Sequence, residues 1–564
     1  MKLLYSLMIA CLLSINSFSQ APGWQWAVGA GGAGSDESGS AITTDGSGNI
    51  YSIGSFGCNT LVIGTQSVVR AGGGNSYVVK QDAAGNVQWL KSYAFSPPTF
   101  FGINAGKSIF ADAAGNTYIT GYYITSMVIG TNTLMSTDSS GSNVGDVFVA
   151  KLDPSGNVIW AKSVGGAYGD NVNSITADAN GNVYITGTYK SRYMRFGTGI
   201  TLFNPNNSSS TFFNNTDIYF AKFDANGNPQ WARNTAHAGG GFNEGKSICI
   251  DAAGNVLIAG TFYSPSVTFS SVTLAGGAAV NLFVTKYDNA GNVIWAKTAV
   301  PAGSGSINHT ATGVTTDASN NVYVTGANGA STLTIGSVVL NNTKGAYVAQ
   351  FDPAGNCQWA NSITGNAYGT GITNKAGDIF VTGYFDGMSC AFGTATVANT
   401  NTGGSNEDIF VAKYTSSGTF SWATGAGGNF RDIPNGISVD ASGNANITGY
   451  TTNTSLSFGT LSLTCTGSPN DIFIAKMGNM SGIKELGQNS QVTVSPNPGQ
   501  GIFSLGSETE IVRIDIVDVF GKVIYSSNDL SSILIDISDK PKGIYFIRAE
   551  DKNSKIYSGK LILE

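Results

Sequence analysis

The sequence predicts an all-β fold arranged as a closed ring of seven repeats. Two patterns recur seven times. The first is an Asn or Asp followed by a short apolar run and a Gly, at residues 49–54, 116–121, 182–187, 255–260, 321–326, 378–383 and 444–449. The second is a Trp, at Trp26, Trp89, Trp160, Trp231, Trp295, Trp359 and Trp422. Successive Trp residues are 63, 71, 71, 64, 64 and 63 positions apart, and a fixed period indicates one array of similar subunits.

Each repeat also contains hairpins, and most of their turns have the form Asp-x-x-Gly. The first turn of a repeat begins at Asp45, Asp112, Asp178, Asp251 or Asp440, and the second begins at Asp82, Asp153, Asp224, Asp288 or Asp352. The Asp side chain accepts hydrogen bonds from the turn backbone, and Gly tolerates the left-handed conformation that follows a type I turn. Two hairpins per repeat predict four antiparallel strands.

The flanking strands predict how the sheets pack. Residues 147–152 are apolar at odd and even positions alike, so both faces of the sheet must be covered. Small antiparallel sheets packed face to face around an axis satisfy this requirement, and that arrangement is a seven-bladed β-propeller. A further recurring segment, such as Val62 to Gly64, predicts an added short strand or ordered loop on every blade. The last repeat lacks a Trp strand, so residues 24–28 are predicted to pair beside residues 471–476 and close the ring.

Composition limits the possible partners and places the domains. Only 11% of residues are charged, the net charge is -6, and no block of like charges occurs, which excludes nucleic acid as an expected partner. Residues 1–19 have the basic start and apolar core of a signal peptide, although Cys11 offers a lipidation alternative. No later apolar run approaches the length of a membrane span, so we expect no membrane insertion. The propeller is predicted over residues 20–478.

The C-terminal region differs from the rest in composition. Of the last 81 residues 20 are charged, against 44 of the first 483. We therefore predict a linker at residues 479–489 and a small, Ig-like β-sandwich at residues 490–564, built from short alternating strands after the motif Val494 to Pro498.

These residues carry two family resemblances. The repeats over residues 24–478 resemble the SBBP β-propeller repeat family of exported bacterial proteins. Residues 490–564 resemble the type A C-terminal sorting domain of the type IX secretion system. The second resemblance implies a Bacteroidota source, interaction of the tail with the secretion machinery, and a secreted or outer-surface location. An ordinary binding sandwich is the alternative for the tail.

The sequence offers little material for catalysis or cofactor binding. The two histidines, His237 and His309, are predicted to be solvated loop residues. Five cysteines follow the predicted signal peptide without a C-x-x-C pair, so we expect small buried side chains, with one disulfide possible and no zinc site. The Asp178 turn resembles the first half of a calcium loop, but Tyr189 stands where the last acidic ligand belongs. No cofactor, metal or catalytic residue is predicted.

Two sets of residues are candidates for ligand binding. One set is a polar position about eight residues before each first turn: Asp36, Asn104, Asp170, Glu244, His309, Thr370 and Asp432. These side chains could line a polar site at the channel, or they could form hydrogen bonds with loop backbone. The other consists of aromatic residues in two insertions, which could stack on sugars, anchor a protein or cap gaps between blades: Tyr93, Phe95, Phe100, Phe101, Phe212 and Phe213.

These observations favour a non-catalytic binding or adhesion module on the cell surface, with a glycan or protein as its ligand. One alternative is an extracellular carbohydrate-active hydrolase or lyase that uses channel carboxylates. The other is a structural component of a surface layer or matrix.

Overall fold

The structure is a computed structural model that describes residues 21–32, 35–71, 75–96, 106–137, 145–204, 216–239, 241–277, 280–302, 309–341, 344–401, 406–465, 469–478, 492–507, 510–518, 523–528, 534–552 and 556–564. The predicted signal peptide and linker lie outside these residues. The chain divides into two compact units, Met1–Gly478 and Asn479–Glu564. The described residues form strands and turns without helices, as predicted.

The first unit is built from four-stranded antiparallel sheets, of which the described residues form seven. The first strands are Ser38–Thr44, Gly106–Ala111, Asp170–Ala177, Asn243–Ile250, Thr310–Thr316, Ala367–Lys375 and Asp432–Val439. The second strands are Ile50–Phe56, Thr117–Tyr123, Val183–Tyr189, Val256–Phe262, Val322–Asn328, Asp378–Phe385 and Ala445–Thr451. The third strands are Asn75–Gln81, Asp146–Leu152, Asp217–Phe223, Asn281–Tyr287, Gly345–Phe351, Asp408–Tyr414 and Pro469–Gly478. The fourth strands are Val87–Ser96, Val158–Gly165, Pro229–Asn234, Val293–Ala302, Cys357–Thr364, Phe420–Ala426 and Gly23–Ala30.

The sheets form a ring around a central channel. The first strand of each sheet contacts the first strand of the next, and that of the seventh contacts that of the first. We call these first strands the inner strands and number the sheets one to seven in the order given. The N-terminal strand Gly23–Ala30 pairs antiparallel with Pro469–Gly478 and completes the seventh sheet. The predicted pairing between residues 24–28 and 471–476 is therefore observed, and it covers the outer edge of Pro469–Gly478, whose other edge pairs with Ala445–Thr451.

The additional recurring segment is a two-stranded hairpin between the second and third strands of each repeat. In the second repeat this hairpin, Ser126–Ile129 with Asn132–Met135, pairs with the fourth strand of the preceding sheet, where Met127 lies opposite Phe95. The hairpins of the third, fifth and sixth repeats pair with the preceding sheet in the same way, which ties these repeats to their neighbours. The other hairpins are Thr60–Ile63 with Gln66–Val69, Tyr193–Phe196 with Ile200–Phe203, Ser266–Phe269 with Val272–Ala275, Thr332–Ile335 with Val338–Asn341, Ser389–Phe392 with Ala395–Ala398, and Ser455–Phe458 with Leu461–Thr464. Two short strands, Ser35–Asp36 and Ala236–Ala238, complete the first unit.

The cores lie between neighbouring sheets. The cluster between sheets one and two joins Tyr51 and Ile53 to Ile119 and Phe148, and corresponding clusters fill the other gaps. All seven residues of Val183–Tyr189 are buried, which agrees with the apolar residues predicted on both faces of the sheets.

The recurring Trp is explained by a contact with the second turn of the next repeat. Trp160 Nε1 donates to the carbonyl of Ala225 at 3.0 Å. Gly227 of the same turn has a φ of +78°, and a Cβ there would lie 2.8 Å from the Trp160 ring. Equivalent bonds run from Trp26, Trp89, Trp231, Trp295 and Trp359. The Trp and the turn Gly therefore recur together because each holds two neighbouring sheets in contact.

The Asn at the start of the first pattern completes the Asp turn. Asp178 Oδ1 accepts from the backbone N–H groups of Asn180 and Asn182, and Asp178 Oδ2 accepts from the Asn182 side chain at 2.8 Å. The same arrangement recurs at the other Asp turns, such as Asp45 with Asn49. The carboxylate is thus saturated by its own turn, as Asx-type turns require.

The second unit is a two-layered β-sandwich. One sheet contains Val492–Ser495, Ile502–Ser507 and Leu534–Asp536. The other contains Val523–Ser527, Ile511–Val517, Gly543–Asp551 and Ile556–Leu563. The two sheets share one apolar core that includes Phe503, Ile516 and Leu561. This agrees with the small sandwich predicted for the C-terminal region.

Candidate functional site

A β-bulge interrupts every inner strand at the same place. In the third sheet Val172 pairs with Gly187 and Ser174 with Thr186, which leaves Asn173 as the extra residue. A bulge redirects the side chain of the inserted residue and is common beside functional sites. The seven inserted residues, which we call the bulge ring, are Ser40, Lys107, Asn173, Lys246, Thr312, Thr370 and Asn435.

Six members of the bulge ring line a cavity of about 390 Å³ in the channel. Its volume falls in the range of small-molecule sites, about 300–1,000 Å³. The lining side chains come from six of the seven inner strands and, for Tyr450, from the second strand of sheet seven. All carry hydrogen-bonding groups: Ser38, Ser40, Lys107, Asn173, Glu244, Lys246, Thr312, Asn435 and Tyr450. The cavity is the strongest candidate site among the described residues.

Three bulge residues also connect neighbouring inner strands. Asn173 Nδ2 donates to the carbonyl of Gly245 at 2.8 Å, and Thr312 Oγ1 donates to Gly369 at 2.6 Å. In the seventh sheet, Asn435 Nδ2 donates to the carbonyl of Gly39 at 2.8 Å. These side chains are held in place by the ring itself, so the cavity wall is preorganised.

The charged groups of the cavity are unevenly paired. Lys246 Nζ lies 2.6 Å from Glu244 Oε2, and Glu244 Oε1 accepts from Asn173 Nδ2 at 3.1 Å. Lys107 Nζ instead lies 5.9 Å from the centroid of the Tyr122 ring. Among the described residues, no acceptor forms a hydrogen bond with that ammonium group. Burial lowers the pKa of Lys107, and the neighbouring Lys246 lowers it further, while Glu244 opposes both.

Tyrosines surround one side of the cavity. Tyr450 belongs to its lining. In the adjacent sheet Tyr368 and Tyr384 stack with centroids 4.9 Å apart and an interplanar angle of 13°. Burial raises the pKa of Tyr384 to about 12, with smaller contributions from Tyr368, Glu407 and Tyr450. Burial also raises the pKa of Tyr450, so both phenols are neutral at pH 7 and can donate or accept hydrogen bonds.

Asp170 and Asp432, two predicted ligand-binding residues, are fully buried. Asp170 accepts from the backbone of Lys190 and Ser191, and its Oδ2 lies 2.9 Å from the Ser191 hydroxyl oxygen. Asp432 accepts from the backbone of Gly428. Burial raises the pKa of each carboxyl to about 7, in Asp170 with a contribution from Asp146. Of the two roles considered for this position, the structure places both residues in loop bonding and away from the cavity.

Asp36 and Glu244 were assigned to that same position, and the assignment was wrong by one residue. The strand pairing aligns Glu37 and Asn243 with Asp170 and Asp432. A shift of one residue moves a side chain to the other face of a strand. Glu244 consequently faces the cavity, whereas Asp36 is exposed and accepts from Asn470 Nδ2 at 2.7 Å. Asn104 lies outside the described residues, and Thr370 belongs to the bulge ring.

The predicted aromatic candidates are mostly not at a described surface. Tyr93 is buried in the core between sheets one and two, which agrees with the alternative that these aromatic residues cap gaps between blades. The backbone of Phe95 is part of the fourth strand of sheet one. Phe100, Phe101, Phe212 and Phe213 lie outside the described residues.

A different aromatic group is exposed beside the second insertion. Tyr193 and Phe203 are each 45% exposed, and their ring centroids are 5.4 Å apart. The Arg192 guanidinium lies 5.8 Å from both centroids. This aromatic pair on the third repeat's hairpin is a second, shallower candidate contact surface.

Both histidine side chains are buried, contrary to the prediction of solvated loop residues. His237 Nε2 lies 2.8 Å from Asp217 Oδ1, and neither side chain is exposed. His309 is 2% exposed, and its Nδ1 lies 2.9 Å from Asn328 Oδ1. The prediction failed because His237 lies within the short strand Ala236–Ala238 and His309 directly precedes the strand Thr310–Thr316, so each side chain meets a polar partner from the same repeat.

The described residues contain no group of three or more His, Cys, Asp or Glu side chains placed to hold a metal ion. Within the same residues the five cysteines are free, and Cys58, Cys357 and Cys390 are buried. No helix capable of crossing a membrane occurs in the described part of the chain.

The sequence prediction missed most of the cavity lining. Each bulge residue is followed by a small residue and then by Ile or Val, as in Lys107-Ser-Ile109 and Thr312-Gly-Val314. The small residue allows contact between neighbouring inner strands: Ser108 Oγ accepts a hydrogen bond from the backbone N–H of Ile175 in the next sheet. The bulge residue before it differs in charge from repeat to repeat, although the two residues that follow are nearly constant. This variation at one position of a recurring pattern is the sequence feature that could have indicated the cavity lining.

Two family comparisons agree with this architecture. Residues 159–188 match the beta-propeller repeat family, SBBP, and residues 493–564 match the secretion system C-terminal sorting domain family. The first unit is a β-propeller of the SBBP type. The second is a type IX sorting domain, so the chain is exported by secretion or to the cell surface, and its tail interacts with the secretion machinery.

Individual relatives are distant. An uncharacterized WD repeat-containing protein of Acanthamoeba polyphaga mimivirus is 25% identical over 409 residues, which cover 60% of this chain and 28% of the viral protein. A puromycin hydrolase structure is 10% identical with a TM-score of 0.39, covering 77% of this chain and 52% of the hydrolase. The aldose sugar dehydrogenase of Streptomyces coelicolor is 10% identical with a TM-score of 0.31, covering 66% of this chain and 95% of the dehydrogenase.

Proposed function

We propose that this exported propeller is a non-catalytic binding module whose ligand occupies the central cavity. The observation that carries the proposal is the bulge ring, which brings polar side chains from six sheets into one preorganised cavity. A wall of hydroxyl and amide groups beside a tyrosine suits a polar ligand with several hydroxyl groups, such as a glycan.

The paired state of Glu244 favours binding over hydrolysis. Hydrolases of glycosidic bonds use two carboxyl groups facing each other across the substrate. Glu244, the carboxylate in the described cavity lining, is held by Lys246 and Asn173. Asp170 and Asp432 begin their inner strands, are buried, and bond loop backbone. Turnover of a polysaccharide by the purified chain would favour the enzyme alternative, and self-association without a ligand would favour the structural one.

A glycan and surface-polymer array probed with the full chain tests the proposal. We expect saturable binding that the variant Ser40→Phe abolishes, because a phenyl group at position 40 fills the cavity. Ser47→Phe, at an exposed turn on the same hairpin, is the matched control and should bind as the wild type does. Equal melting temperatures establish that both variants fold. Binding that survives Ser40→Phe would contradict the proposal and point to the loops or the aromatic pair at Tyr193 and Phe203.

A further inference from the structure

The cavity contains one positive charge that the described residues leave uncompensated. Lys246 and Glu244 form an ion pair at 2.6 Å. Lys107 makes no described hydrogen bond or ion pair, and its ammonium group faces the Tyr122 ring. The described lining holds two ammonium groups, Lys107 and Lys246, and one carboxylate, Glu244, so one positive charge is in excess. An excess charge that is partly buried is costly, so the cavity favours a ligand that carries one negative charge.

The rest of the lining restricts the chemistry of that ligand. Phosphate sites commonly combine several cations or a helix N-terminus, whereas this cavity offers a single uncompensated ammonium group. Around it stand neutral groups, among them Ser40, Thr312 and Asn435. These groups match sugar hydroxyls, and Tyr450 adds an aromatic surface.

We propose that the cavity binds a hexuronate-type sugar acid, with its carboxylate on Lys107 and its hydroxyl groups on the neutral side chains of the bulge ring. This inference rests on the proposed binding function and specifies its ligand. The Lys246–Glu244 pair serves a different purpose in the same cavity: it offers one donor and one acceptor at fixed positions to the sugar ring.

Titration calorimetry with the full chain tests this assignment. The probes are glucuronate, galacturonate and mannuronate, each compared with its neutral sugar: glucose, galactose and mannose. At least one acid should bind about tenfold or more tightly than its neutral counterpart, which is the usual value of a charge-assisted hydrogen bond. That preference should weaken between low and high salt.

Three variants assign the effect to Lys107. Lys107→Gln should remove the preference, so that the acid and its neutral counterpart bind this variant with equal affinity. Lys107→Arg should retain the preference, because it keeps the charge. Lys375→Gln is the matched control. Lys375 is the last residue of the sixth inner strand and is not part of the cavity lining, so this variant should bind as the wild type does.

Different failures have different meanings. Equal affinity for acid and neutral sugars, or a preference unchanged in Lys107→Gln, overturns the sugar-acid assignment while cavity binding stands. Failure of every acid to bind also overturns the assignment. The Ser40→Phe array then decides separately whether the cavity binds any ligand.

Discussion

At the scale of single residues, the ring depends on contacts between one Trp and one Gly in neighbouring repeats. Gly227 carries two constraints, a positive φ and the face of Trp160. Gly254 occupies the same place in another Asp turn, with a φ of +82°, and a methyl group added there would meet no atom within 4 Å. Substitution of Gly254 therefore tests the need for a positive φ alone, whereas substitution of Gly227 tests the positive φ together with the contact with Trp160.

Gly254→Ala should lower the free energy of unfolding by about 1 kcal/mol, the cost of a left-handed Ala. Gly227→Ala should cost about 1–3 kcal/mol more, because its methyl group overlaps the Trp160 ring. Denaturant midpoints of the two variants measure the difference. Equal midpoints would show that the Trp contact adds nothing to the turn.

Asp170 predicts a pH dependence of stability. Ser191 Oγ lies between the Tyr168 carbonyl and Asp170 Oδ2 and also accepts from the Tyr168 backbone N–H. Ser191 has one hydroxyl hydrogen and can donate it to the Tyr168 carbonyl. The contact with Asp170 Oδ2 is then a hydrogen bond only if Asp170 carries a proton, so a protonated Asp170 satisfies all three bonds. Burial raises the Asp170 pKa to about 7, above the unfolded value of about 3.9. The folded state therefore binds the proton more tightly, and the contribution of this group falls as pH rises from about 4 to 7.

Asp170→Asn should consequently flatten the decrease in melting temperature between pH 5 and pH 8. At pH 8 we expect a gain on the order of 2 °C over the wild type, because the amide donates to Ser191 Oγ without ionising. At pH 5 the two proteins should melt at similar temperatures. Asp36→Asn, an exposed carboxylate, is the control. A variant that is less stable at pH 8 would show that Asp170 is needed as an anion.

At the scale of elements, the four-stranded repeat could be predicted from the sequence, but the pairing register of its strands could not. Trp spacing, Asp turns and two-sided apolar strands predicted the sheets, because each reflects a contact made in every repeat. The bulge was not predictable, since one inserted residue alters pairing without altering composition. Glu244 lies one residue after the aligned position and Asp36 one residue before it, and only the strand pairing reveals that difference. His237 and His309 are paired with Asp217 and Asn328 from other strands of their repeats, and local sequence does not report such partners.

The closing strand Gly23–Ala30 makes a prediction at the same scale. Removing it exposes the edge of Pro469–Gly478 and opens the cores on either side of the seventh sheet. We expect a loss of several kcal/mol and a fall in melting temperature on the order of 10 °C, spread over the whole ring. Removal of residues 21–22 alone is the control. Unchanged cooperative melting of the shortened chain would contradict closure by this strand.

At the scale of the whole molecule, export and binding are assigned to separate units. The tail has its own two-layered core, and the propeller closes upon itself. Each unit can therefore be altered without dismantling the other.

Deleting residues 493–564 should keep the protein inside a host that has a type IX system, because the tail is the sorting signal. The melting temperature of the propeller should not change. Cell fractionation measures the first expectation and calorimetry the second. Normal release of the truncated chain would show that sorting information lies outside the tail.

Ligand binding in the channel, within the bulge ring, is the role proposed for the propeller as a whole. A crystal structure of the full chain with the best ligand from the array decides whether the ligand lies there. We expect density in the cavity between Lys107 and Asn435, with a polar group of the ligand on the Lys107 ammonium. Density on the outer aromatic pair at Tyr193 and Phe203, with an empty channel, would show that the channel is not the binding site.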